Sequence, residues 1–331
     1  MNIFKCVNCG KLLNGFIPSK CGCGFAVPVI GGVYQFTEDN PISVDGDGLK
    51  WLGYENVGEN FEPGYFYDKD NDNIGNSDKL AEYLGNGKVV LDLGAGLGIA
   101  SISCALAGLN VIAADISQVM LSSAVKRAQK HNVPSDNIIF ARMNGYKLEL
   151  ADDSVDAVIV IAVLHQVDQP ELMIEEIKRV LKPDGFFLQY GGAENLGYTK
   201  EQEKATARYN EIYKNIESFY DAIIDKSGCG KLPFVSWDKA DECINDNFVE
   251  FITLENTGWY GACNMQWTLK VGLHKIKTRA SGSKQLIPDE IHNSAWTKTD
   301  AYAKKKYGEN YEEIFRYFNS ANCNTKLYKL R

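Results

Sequence analysis

The apolar run Val89-Val90-Leu91 closes in Asp92 and then in Leu93-Gly94-Ala95-Gly96-Leu97-Gly98, and this stretch constrains the fold most tightly. A short apolar run ended by glycines reads as a buried strand turning into a helix, the unit from which parallel α/β sheets are built. Glycines allow left-handed backbone angles and close approach to a ligand, and the helix that follows offers its unpaired N–H groups to that ligand. The turn therefore predicts a nucleotide-type site at the carboxyl end of a strand. A dinucleotide fingerprint needs G-x-G-x-x-G/A; here the glycines fall at 94, 96 and 98, and the third required place holds Ile99. A nicotinamide dehydrogenase is a poor match.

With Asp92 two places ahead of the first glycine, the pattern becomes D-x-G-x-G-x-G, which resembles motif I of the class I S-adenosylmethionine-dependent methyltransferases. Further motifs follow in the same order. Asn110 to Ala114 reads as a second strand, with Asp115 at its carboxyl end, where a carboxylate can accept both hydroxyls of a ribose. The alternative for Asp115 is a cap on the helix that begins near Ser117. Ser117-Gln118-Val119-Met120-Leu121-Ser122-Ser123-Ala124 is similar to the family's S-x-x-M-L-x-x-A helix. That likeness implies that Ile116 and Met120 flank an adenine, the alternative being plain core positions. The stretch from Asn137 to Gly145, followed by Leu148 to Asp156, resembles the family's G-D-A…L-P-F…D-x-S-F-D block. Two positions depart from it. The adenine-contacting acid falls on Asn144, an amide that still accepts a hydrogen bond but carries no charge, and Glu149 stands where the proline would be.

Ala157 to Val163 predicts a fourth, fully apolar strand of the kind buried on both faces. It runs into Leu164-His165-Gln166-Val167, an amphipathic helix, and Arg179-Val180-Leu181-Lys182-Pro183-Asp184-Gly185 before a fifth strand. L-H-x-V and R-V-L-K-P-x-G are similar to the methyltransferases related to ubiquinone and menaquinone biosynthesis, and the resemblance spans residues 88–191. It implies an α/β fold with a doubly wound, mostly parallel seven-stranded sheet. It also implies a cofactor site in which Asp92, Gly94, Ala95, Gly96 and Gly98 receive the methionine end, Asp115 the ribose, and Asn144 with Gly145 the adenine. His165, at a strand's carboxyl end, reads either as a substrate contact or proton-removing base, or as a hydrogen-bonded shaper of the pocket.

Four of the nine cysteines cluster as Cys6-x-x-Cys9 and Cys21-x-Cys23, beside Gly10, Gly22 and Gly24. Such spacing in an intracellular chain favours a tetrahedral zinc over disulfides. Val27 to Phe36 resembles the tail of zinc-ribbon segments that precede some methyltransferase domains, including bacterial ribosomal RNA guanine methyltransferases. The single residue between Cys21 and Cys23 departs from the usual two. Reduced, metal-free thiols are the alternative.

These features divide the chain into a zinc ribbon at 1–36, a loop and helical segment at 37–87, and the catalytic domain at 88–331. The middle segment carries Trp51, Tyr54, Phe61, Tyr65, Phe66 and Tyr67, rings that pack over a cofactor or between ribbon and core. Glu201 to Lys226 is expected to be a helix with a core stripe of Tyr209, Ile212, Ile216, Phe219 and Ile223. Phe248 to Leu254 predicts a sixth strand and Cys323 to Leu330 a final one, inserted antiparallel beside it by family topology. Residues 258–310, with Trp259, Tyr260, Trp267, His274 and Trp296, read as a helical insertion that covers the substrate or forms a homodimer contact.

With 331 residues, 45% hydrophobic, the chain exceeds one minimal catalytic domain. A net charge of −8 without a long basic run weighs against nucleic acid. Neither a long apolar span nor a signal-peptide core occurs, so a cytoplasmic protein without membrane insertion is expected. The sequence points to methyl transfer to a small-molecule acceptor. The alternatives are an RNA base methyltransferase of the zinc-ribbon type and a catalytically silent cofactor binder.

Overall fold

The computed structural model describes residues 2–39, 43–44, 49–50, 74–195, 197–229, 237–255, 257, 263–279, 284 and 287–331. The six aromatics expected to pack from the middle segment, and Trp259 and Tyr260, lie outside the described residues. In chain order the strands are β1 (Val29–Ile30), β2 (Val33–Gln35), β3 (Ser43–Val44), β4 (Leu49–Lys50), β5 (Val89–Leu93), β6 (Asn110–Asp115), β7 (Ile138–Arg142), β8 (Val155–Ile159), β9 (Leu181–Asn195), β10 (Phe248–Leu254), β11 (Cys263–Thr268) and β12 (Phe315–Leu330). The helices are α1 (Asp78–Leu84), α2 (Ile99–Leu106), α3 (Gln118–Lys130), α4 (Pro170–Val180), α5 (Lys200–Ser227), α6 (Trp237–Asn247), α7 (Leu269–Lys277) and α8 (Asp289–Tyr307).

The central sheet runs β7-β6-β5-β8-β9-β12-β10, with β12 antiparallel to both neighbours. Its topology is the doubly wound one expected, and it is wider than seven strands. β2 adds in parallel to β7, β1 pairs with β2, and β11 pairs with β12, which makes ten. The tail of the cysteine segment is thus a pair of sheet strands rather than a free appendage.

Every residue of β5 and of β8 is buried. Alternation sends Val89, Leu91 and Leu93 into one core with α4, and Val90 into the opposite core with α2 and α3. β8 is shorter than predicted: it ends at Ile159, and Ile161 to Val163 turn over the sheet's carboxyl edge. Asp156 in its middle accepts from the Val89 N–H at 2.9 Å and pairs with Lys182 at 2.8 Å and Lys88 at 3.1 Å, knitting three neighbouring strands. Burial pushes its carboxyl up, but the two lysines and the Val89 N–H together hold it below the usual carboxylate range.

Helix α4 opens on Pro170 and buries Met173, Ile174, Ile177 and Val180 at helical spacing. The Lys182-Pro183-Asp184-Gly185 turn then bulges between the pairs Val155–Leu181 and Ala157–Phe186. A Cβ on Gly185 would meet Leu181 Cδ1 at 2.7 Å and the Lys182 carbonyl at 2.9 Å, so only glycine fits.

Helix α5 is closed by a Thr199–Gln202 capping box and ends at left-handed Gly228. Its buried stripe is Tyr209, Ile212, Ile216, Tyr220 and Ile224. Phe219 instead stacks on Tyr302 with ring centroids 4.1 Å apart, and Ile223 is only partly buried. The expected stripe was therefore one residue out of phase at its far end. Helices α5, α7 and α8 share a separate core with Leu269, Leu273, Ile276 and Ala295. No described helix is long and apolar enough to cross a membrane.

Candidate cofactor site

The carboxyl ends of β5, β6, β7 and β8 converge on one cavity, at the edge where open α/β sheets bind ligands. Gly94, Ala95, Gly96, Asp115, Ile116, Met120, Asn144 and Gly145 all line it. Gly98 does not; it is the left-handed N-cap of α2, where a Cβ would lie 3.1 Å from that of Ala124.

The glycine turn is held by its own backbone. The Gly94 and Ala95 N–H groups donate to the Ala114 carbonyl at 2.8 and 3.0 Å, and Gly96 N–H donates to Asp115 Oδ2 at 2.8 Å. Gly94 has φ +79°, and a Cβ there would sit 2.2 Å from Val163 Cγ2. Asp115 Oδ1 accepts from the Ser117 N–H at 2.9 Å, while Ser117 Oγ caps α3 by accepting from the Met120 N–H at 3.2 Å. Ser117 is thus the cap, and Asp115, which lines the cavity, is the anchor of the glycine turn.

Asp92 lines the cavity too, yet its Oδ2 faces into the protein. It accepts from Ser101 N–H at 3.0 Å and Ser101 Oγ at 2.5 Å, pinning α2 against β5. Burial pushes its carboxyl up to about 6; the Ser101 bonds pull it down and Asp115 pushes it further up. The folded chain therefore holds this proton more tightly than the unfolded one. The stability it contributes is complete below the unfolded value near 3.9 and is lost as the pH rises through about 6. Asp92→Asn should match the parent near pH 4 and exceed it by about 2 kcal/mol at pH 7.5. Denaturant unfolding at the two pH values checks this, and equal stability at pH 7.5 would contradict it.

The Asn144 amide is fixed from both sides. Its Nδ2 donates to Asp39 Oδ2 at 3.1 Å and its Oδ1 accepts from the Tyr146 N–H at 2.9 Å. Arg142 holds the same corner, donating from Nε to the Ile116 carbonyl at 3.0 Å and from a terminal nitrogen to the Asp39 carbonyl at 3.1 Å. Tyr146 lines the cavity, donates to Asp168 Oδ1 at 2.5 Å and so ties the loop after β7 to the loop after β8. Burial and that bond push its phenol well above the usual range.

His165 is not among the residues lining the cavity; its ring stacks on Trp237 of α6, with centroids 3.5 Å apart and planes 20° apart. Burial pulls its imidazole down to about 4, so it is neutral at pH 7. Its neighbour Gln166 lines the cavity instead and donates from Nε2 to the Ala162 carbonyl at 2.5 Å. That bond braces Ala162 at φ +55°, a left-handed residue at the mouth of the site. Among the described residues, no side chain of 258–310 lines the cavity.

Away from this site, the sulfurs of Cys6, Cys9, Cys21 and Cys23 lie within 4.8 Å of one another. Cys6 and Cys23 are 3.7 Å apart and Cys9 and Cys21 3.6 Å. A tetrahedral Zn–S bond of about 2.3 Å requires sulfurs roughly 3.8 Å apart, close to the two shorter separations.

A parallel sheet in this order, with a glycine turn ending one strand and an acid ending the next, defines a Rossmann-like domain of the nucleotide-binding kind. Residues 91–189 match the family model of a methyltransferase domain. Demethylmenaquinone methyltransferase of Clavibacter sepedonicus is 37% identical over 99 residues, 30% of this chain and 39% of that protein. Ribosomal protein L11 methyltransferase of Listeria monocytogenes is 31% identical over 155 residues, 45% of this chain and 46% of that protein. Among solved structures, a SAM dependent methyltransferase from Aquifex aeolicus is 18% identical and covers 56% of this chain and 85% of that chain, with a TM-score of 0.36. Over residues 91–189 this chain is therefore similar to the methyltransferase domain family. The chain spans less than half the length of the two curated relatives.

Proposed function

We propose that this protein transfers a methyl group from S-adenosylmethionine to a small-molecule acceptor. The observation that carries the reading is the convergence of the glycine turn, Asp115 and the Asn144-Gly145 pair on one cavity at the strand ends. In it, Gly94, Ala95 and Gly96 receive the methionine end, with Asp92 acting from behind by fixing α2. Asp115 accepts the ribose hydroxyls, Ile116 and Met120 flank the adenine, and Asn144 Oδ1 with Gly145 meets its edge. Charge supports the same ligand. Among the described lining residues Asp92 and Asp115 are carboxylates and none is Lys, Arg or His. Such a wall suits a cationic sulfonium and disfavours the pyrophosphate of a dinucleotide.

The bound cofactor supplies an electrophilic methyl group, and displacement on it demands chiefly alignment and exclusion of water. Tyr146, Val163, Val167 and Met173 supply the apolar wall for that purpose. The net charge of −8 supports a small acceptor over RNA. The cysteine cluster is assigned a structural zinc, and the protein a cytoplasmic location.

Calorimetry with S-adenosylmethionine and S-adenosylhomocysteine tests the cofactor site; no heat from either would refute it. Release of S-adenosylhomocysteine in the presence of a panel of amines, thiols, phenols and activated carbons separates an enzyme from a silent binder. Metal analysis of the untagged protein should give about one zinc per chain, and less than half an equivalent would remove the zinc assignment.

A further inference from the structure

The four-cysteine segment grips both walls of the cofactor cavity. On one side Lys5 N–H donates to the Glu149 carbonyl at 2.9 Å, Ala151 N–H donates to the Ile3 carbonyl at 2.7 Å, and Phe4 lies opposite Leu150. These contacts hold the chain that leads out of Asn144 and Tyr146. On the other side Gln35 donates to Gln118 Oε1 at 2.8 Å, and Gln118 donates to the Ile30 carbonyl at 3.2 Å, at the start of the helix that carries Met120. Asp39, just beyond the end of that segment, receives the Asn144 amide.

The segment has little core of its own. Ile3, Phe4, Leu13 and Phe36 are buried, but in the same cluster as Met143, Leu148 and Leu150 of the catalytic domain. Segments below about 40 residues seldom hold a fold without a metal, a disulfide or a partner. The Lys5–Leu12 bridge and the β1–β2 hairpin close its two ends locally, and between them the loops that carry Cys6, Cys9, Cys21 and Cys23 are drawn together by their four sulfurs.

We propose that a thiophilic divalent ion at Cys6, Cys9, Cys21 and Cys23 is an effector of the cavity: ion and cofactor bind cooperatively, through Gln35 and Asp39. This rests on the cavity being the S-adenosylmethionine site. With the ion bound, the segment is rigid and both walls are set before the cofactor arrives. Without it, the cofactor must order the segment as well as bind, and its apparent affinity falls by the fraction of chains already ordered. Linkage requires the reverse effect of equal size: the cofactor tightens the ion.

The test uses the full chain. S-adenosylhomocysteine is titrated calorimetrically into zinc-loaded protein and into protein stripped by a chelator, with circular dichroism confirming that the stripped sample is folded. The expected result is binding weaker by about tenfold in the stripped protein, and zinc held tighter by the same factor when the nucleoside is saturating. Equal affinity in loaded and stripped protein overturns the proposal. If stripping unfolds the chain, the double variant Q35A/D39A decides. It should keep its full zinc content and bind S-adenosylhomocysteine about fivefold more weakly than the parent when both are loaded; parental affinity overturns the coupling. Failure of the loaded parent to bind at all refutes the cofactor reading itself, a result distinct from equal binding with and without zinc.

Discussion

Gly94→Val should weaken S-adenosylhomocysteine binding by about a hundredfold or more, a difference of about 2.7 kcal/mol. Two independent costs meet at this position. A Cβ at residue 94 would stand 2.2 Å from Val163 Cγ2, inside any tolerable contact, and φ of +79° is strained for a β-branched side chain. Relief requires the turn to swing away from Val163, which breaks the Gly94 and Ala95 bonds to the Ala114 carbonyl. Because Val163 is packed and Ala162 beside it is already braced by Gln166, the opposite wall has little room to yield. Calorimetry on a variant shown to be folded checks this, and parental affinity would contradict the assignment of the turn.

Asp115→Ala carries the second large effect, again about a hundredfold in affinity. The substitution removes the acceptor that holds Gly96 N–H at 2.8 Å and Ser117 N–H at 2.9 Å, and with it the acceptor assigned to the ribose. Asp115→Asn keeps one oxygen and should lose about tenfold. The two roles separate in a cycle with a cofactor product lacking the ribose hydroxyls. The parent should bind that analogue much more weakly than the natural product, whereas Asp115→Ala should bind both alike. A variant that still distinguishes them would move the ribose elsewhere.

Local features of the sequence carried the sheet and most of the site. Apolar strands buried on both faces, a glycine turn and acids at strand ends are short-range patterns, and β5, β6, β7 and β8 with Asp115 emerged from them. The four cysteines converge as their spacing and flanking glycines required. Long-range pairings left no such trace. Asp39 stands 105 residues before the Asn144 it meets, and Tyr146 meets Asp168 across two loops. Nothing in the L-H-x-V motif says which of two adjacent side chains faces inward. The turn at Leu164–Gln166 sends Gln166 to the cavity and His165 to Trp237, a partner 72 residues away in another helix. The stripe of α5 slipped for a related reason: both Phe219 and Tyr220 are apolar enough for a core, and the packing of α8 chose Tyr220.

The parallel pairing of β2 with β7 also sets a schedule for synthesis. Val33 finds its partner Phe140 only after about a hundred more residues have been made. At about 5–20 residues per second, that is roughly 5–20 seconds during which Phe4, Val33 and Phe36 have no sheet to bury them. The cysteine cluster, all of it within residues 6–23, and the β1–β2 hairpin are elements of this segment whose closure needs nothing downstream. Until β7 exists, the closures open to the segment are the local ones, the β1–β2 hairpin and the gathering of the four cysteines.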